Sequence, residues 1–134
     1  MKLLTLLVFL AGSAYGQLEV TVTNIKEATG NIRVGIFVDD ETFLKKAAFG
    51  KVVKAEKGTM NIVFENIPAG KYAVSVIHDT NENDKLDSNM IGMPTEGFGF
   101  SNDAMGMFGP PGFEKASFSL TAAPLSISLK LRYL

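Results

Sequence analysis

Apolar and polar residues alternate with period two in several segments between residues 18 and 131, the pattern of strands that set one face on a core and the other in water. Leu18, Val20 and Val22 alternate with Glu19, Thr21 and Thr23. Ile32, Val34, Ile36 and Val38 follow a turn at Thr29-Gly30-Asn31, and Met60, Ile62 and Phe64 follow Lys57-Gly58. Tyr72, Val74 and Val76 come after the Pro and Gly turn Asn66-Ile67-Pro68-Ala69-Gly70. Ala116, Phe118 and Leu120 form one late face, and Leu125, Ile127, Leu129 and Leu131 another, with Ala123-Pro124 between them. With Val52 to Ala55 included, about seven strands are predicted. Short strands with spaced turns and no sustained helical period predict an all-β fold, an antiparallel β-sandwich.

Two stretches break this rhythm. Asp40 to Gly50 holds helix formers with Asp at its start, Lys in its middle and Gly at its end, which predicts one short helical connector, a helix or a helical turn, over an end of the sheets. The run from His78 to Gly112 is predicted as one long ordered loop. Connections of that length are uncommon in a compact domain unless they are functional or disordered.

The first sixteen residues read as an export signal and are expected to stand outside the fold. Lys2 is a positive start, Leu3 to Ala11 is an apolar run of nine, and Ala14-Tyr15-Gly16 offers small residues where a signal peptidase reads. Residues 1–16 are expected to be a signal peptide and residues 17–134 a single domain, exported to the periplasm or the extracellular space. Nine apolar residues fall well short of the ~20 that a transmembrane helix needs, so no membrane anchor is expected.

Composition then narrows the chemistry. Cysteine is absent, which excludes disulfides, iron–sulfur clusters and thiolate zinc sites. His78 is the single histidine, so a site with several imidazole ligands is excluded too. The net charge of −1, with no clustered basic run, gives no reason to expect a nucleic-acid partner.

The segment that can carry chemistry opens at His78. Asp79, Asn81, Asn83 and Asp87 fall at positions 1, 3, 5 and 9 of a calcium loop, and the Lys85 backbone carbonyl falls at position 7. Alternating oxygens on a tightly turning backbone can converge on one hard cation, which takes 6 to 8 oxygen ligands. Asp84 stands where such loops use glycine, and Met90 stands where they use a bidentate glutamate. The missing carboxylate must come from elsewhere, with Glu96 and Asp103 the nearest downstream candidates. The same run also reads as a polar turn in which Asn and Asp side chains bond their own backbone.

Downstream, glycines alternate with Phe98, Phe100, Phe108 and Phe113 and with Met105 and Met107. So apolar a segment must pack on something. It either covers an open part of the sandwich or presents an aromatic surface to a peptide or glycan. His78 beside Asp79 suggests a hydrolase with a hydroxyl such as Ser101, but spacing alone assembles no triad.

The run Tyr72 to Asp87, followed by Gly92-Met93-Pro94, Glu96 to Asn102 and Phe108-Gly109-Pro110-Pro111, resembles the bacterial exported-protein family Domain of Unknown Function 2141 (DUF2141). Thr23-Asn24-Ile25, Gly30 to Phe37 and the closing Leu131-Arg132-Tyr133 fit it as well. The resemblance covers essentially the whole domain. It implies an exported bacterial sandwich similar to transthyretin-like or immunoglobulin-like modules, with glycine at the position of Asp84, and it implies no activity. The expectation is therefore a non-catalytic binding or structural module, with calcium as its one possible cofactor and a cell-envelope protein or a glycan as its possible partner.

Overall fold

Side chains buried at every second residue define the two inner faces: Leu18, Val20 and Val22 on one strand, Ile32, Val34 and Ile36 on another, and Val74 and Val76 on a third. The computed structural model describes residues 14–81, 96–107 and 109–134. Its strands are β1 (Tyr15–Ile25), β2 (Asn31–Phe37), β3 (Phe49–Lys54), β4 (Gly58–Pro68), β5 (Gly70–Asp79), β6 (Gly97–Phe100), β7 (Ser117–Leu120) and β8 (Leu125–Lys130). β1 begins two residues before the expected domain start at Gln17.

One sheet has the order β4-β1-β8, and the other runs β3-β2-β5. The far edge of β5 is shared: β6 pairs with Ser75 to His78, and β7 with Gly70 to Ala73. Val74 falls in the gap. Its N–H is taken by the Ser101 hydroxyl oxygen at 2.9 Å, and that hydroxyl donates to the Ala116 carbonyl. A side chain thus replaces the ladder bond that neither short strand supplies.

The fold is an all-β sandwich, with eight strands among the described residues instead of about seven, and β1 pairs with β8 in parallel. The additional strand is β6. Its glycines concealed the alternation because Gly97 and Gly99 occupy the inner face, where a Cβ would come within 2.5 Å of the Tyr133 ring and 2.9 Å of Leu129 respectively. Tyr133 and Leu129 fill the space the glycines leave. The expected loop from His78 to Gly112 is therefore interrupted by a strand, and a 3-10 turn at Ser101–Asp103 follows it.

The connector between β2 and β3 is the helical turn of the two alternatives and does not extend into a helix: the Thr42 carbonyl accepts the N–H groups of Lys45 and Lys46 at 2.8 and 2.9 Å. Asp39, one residue earlier than expected, accepts the Thr42 N–H and hydroxyl at 2.8 and 2.7 Å. Those bonds hold the Asp39 carboxyl below its ordinary pKa. Leu44 then adopts a φ of 63°, which a helix cannot accommodate. The turn serves to bury Phe43.

Two apolar clusters result. The larger lies between the sheets. The second lies on the outer face of the five-stranded sheet, where Phe43 meets Phe37 edge-on at 5.4 Å and Phe113 at 6.0 Å between ring centroids. Phe98, Phe100 and Phe113 are each at most 6% exposed in this cluster, with Phe113 carried on the one-turn helix α1 (Phe113–Ala116). The aromatic segment covers the sheet, so β5 is buried on both faces.

Candidate functional site

Strand alternation at the end of β5 sends His78 inward and Asp79 to the opposite face, and both are fully buried. His78 Nε2 lies 2.7 Å from the Thr29 carbonyl oxygen, and Nδ1 lies 2.8 Å from the Tyr133 hydroxyl. A carbonyl can only accept, so Nε2 carries the proton and Nδ1 accepts from the tyrosine. The Tyr133 oxygen in turn accepts the Lys26 N–H at 3.0 Å. Both nitrogens of the imidazole are thus occupied.

Local sequence explains why these groups meet. Gly30, at φ 70°, lets the β1–β2 turn pass against the end of β5, where a Cβ would come within 2.1 Å of the Asp79 carbonyl oxygen. That approach brings Thr29 to the imidazole. Gly97 leaves room for the Tyr133 ring, which meets the His78 ring edge-on at 5.9 Å. The Lys26 ammonium sits 5.1 Å from the centre of the tyrosine ring. Burial raises the pKa of the Tyr133 hydroxyl, as does the negative charge of Glu27, while the Lys26 N–H works in the other direction.

On the outer side, Glu96 is 5% exposed, and one of its carboxylate oxygens accepts both the N–H and the hydroxyl of Thr80 at 2.8 Å. Asp79 and Glu96 therefore stand buried at the two ends of the segment 82–95. Asn81 is exposed at the start of that segment. Asn83, Lys85 and Asp87, the other residues of the expected calcium loop, lie outside the described residues, as does Phe108. Asp103 is held elsewhere, accepting the Lys130 N–H at 2.9 Å on the edge of β8. Of the two downstream carboxylates, Glu96 is the one at the loop.

Among the described residues, no group of three or more His, Cys, Asp or Glu side chains is arranged to hold a metal ion, so Asp79 and Glu96 alone do not make a site. The structure does not assemble the suggested hydrolase set. Ser101 spends its hydroxyl on β5 and Ala116, away from His78, and His78 faces the core while Asp79 faces out. The depressions of about 280 Å³ beside Tyr15 and Glu65 and of about 210 Å³ beside Phe37 and Lys51 are not lined by His78, Asp79 or Glu96.

Sequence reasoning missed Thr29, Gly97 and Tyr133 as neighbours of His78. No local pattern announces them, because each comes from a different turn or strand.

These features define an all-β sandwich with a histidine built into its core and two buried carboxylates at the mouth of an Asx-rich segment. The chain belongs to the bacterial family described as "Uncharacterized protein conserved in bacteria (DUF2141)", whose model matches residues 20–128. No curated protein and no solved structure matches it. No helix among the described residues is long and apolar enough to cross a membrane.

Proposed function

We propose that this protein is an exported, non-catalytic binding or structural module whose loop after β5 takes up calcium weakly. The observation that carries the reading is the burial of Asp79 and Glu96 at the two ends of a segment with oxygen-bearing residues at calcium-loop spacing. Glu96 supplies the carboxylate that Met90 does not, and its bond to Thr80 ties the end of the segment to its beginning. With few carboxylates the affinity falls on the order of 10⁻⁴ to 10⁻³ M, as in extracellular modules. That range suits an exported protein.

The module reading draws on the state of the other candidates. Both nitrogens of His78 are used inside the fold, and Phe98, Phe100 and Phe113 are spent on covering a sheet, which weighs against a glycan or peptide surface built from them.

Thermal unfolding with and without calcium tests the ion. At a concentration ten times Kd, calcium stabilises the fold by about 1.4 kcal/mol and raises Tm accordingly. Asp79→Asn and Asp87→Asn each abolish the shift. A wild-type melting curve indifferent to calcium removes the ion from this reading.

A further inference from the structure

The two open sides of the sandwich are finished differently. On one side the sheets are joined by backbone: Phe98 N–H donates to the Arg132 carbonyl at 3.1 Å, Arg132 N–H donates to the Phe98 carbonyl at 2.8 Å, and Asp103 caps the N–H of Lys130. On the other side the edges of β3 and β4 face each other without a ladder between them. The Lys51 side chain crosses the gap. Lys51 on β3 is the cross-strand partner of Val34, a core residue, so its stem points between the sheets. Its ammonium donates to the Val63 carbonyl of β4 and lies 5.2 Å from the centre of the Phe64 ring.

We propose that the outer edge of β4 is a latent pairing surface for a second copy of this chain, and that Lys51 holds it closed. Because the Val63 carbonyl is turned to Lys51, it points away from β1, and its own N–H shares that edge by the geometry of a strand. β4 is eleven residues long and carries Ile62-Val63-Phe64 at its middle, the kind of edge that templates strand addition unless it is obstructed. An inward-pointing lysine on a neighbouring edge strand is one such obstruction.

The occupant follows from the sequence of β4. In an antiparallel pair centred on Val63, Asn61 stands opposite Glu65 of the copy and Ile62 opposite Phe64, so no like charges face each other. The far side of the sandwich is already closed by the Phe98–Arg132 bridge. Pairing through β4 therefore ends at a symmetric dimer and does not grow into a fibre.

Light scattering coupled to gel filtration of the purified protein over a range of concentrations tests this. The wild type and Lys51→Arg elute with the mass of one copy. Lys51→Met, with the cation removed, shifts with rising concentration to twice that mass. Adding Val63→Pro to Lys51→Met restores the single-copy mass, because proline removes the edge N–H yet is tolerated on an edge strand. If Lys51→Met does not fold, Lys51→Gln is read in its place. The proposal is overturned by a folded, uncharged variant that stays monomeric at every concentration, by association that survives Val63→Pro, or by a wild type already dimeric.

Discussion

His78 Nδ1 and the Tyr133 hydroxyl lie 2.8 Å apart although 55 residues separate them in the chain. That bond joins the end of β5 to the segment that follows β8. The Lys26 N–H and the Thr29 carbonyl extend it at either end into the β1–β2 turn, so three distant segments meet on one buried ring. No buried side-chain nitrogen or oxygen among the described residues lacks a partner, and His78 is satisfied only through this arrangement.

Removing the tyrosine oxygen leaves Nδ1 buried without its donor. Tyr133→Phe keeps the ring against Gly97 and should cost about 1–3 kcal/mol, measured by urea unfolding. A loss of a few tenths or less would mean that water replaces the hydroxyl.

Alkali should find the same residue. Burial raises the Tyr133 pKa above its ordinary 10.0, so the native state resists ionisation more than the unfolded chain does. The stability tied to this difference is fully present below pH 10 and is lost as pH rises through the folded-state pKa. Tyr72, raised by burial alone, adds to the same decline. Stability measured from pH 8 to about 11 should fall less steeply in Tyr133→Phe than in the wild type.

At Gly97 a methyl group would meet the Tyr133 ring at 2.5 and 2.6 Å. Gly97→Ala should destabilise by about 1–3 kcal/mol, in the range of overpacked cores. Combining it with Tyr133→Ala should be clearly less than additive, since the obstructing ring is then gone. Additive losses would place the strain elsewhere.

Ser101→Ala removes the group that accepts the Val74 N–H between β6 and β7. An unsatisfied buried donor should cost about 1–3 kcal/mol. Amide exchange at Val74 should quicken more than at Val76, whose neighbours keep their ladder. Equal exchange at the two positions would contradict the gap-filling role.

How much was legible depended on the range of the interaction. The alternation of Leu18, Val20 and Val22, or of Ile32, Val34 and Ile36, is local and identifies a buried face by itself. β6 escaped notice because half its pattern is glycine, and the partners of Gly97 and Gly99 are side chains from the C-terminal segment. After β2 the choice between a helix and a helical turn was not local: helix formers are common in Asp40 to Gly50, but the burial of Phe43 against Phe37 and Phe113 stops them at a single turn.

From the order of its residues alone this protein is an all-β domain without cysteine, with one histidine and a segment spaced like a calcium loop. These properties follow from composition and from a period of two, both visible within a few residues. Tertiary structure decided where the single histidine points, which of Glu96 and Asp103 reaches the loop, and what the aromatic segment covers. It alone could do so, because each outcome depends on which distant strands share a face and how closely glycine lets them approach.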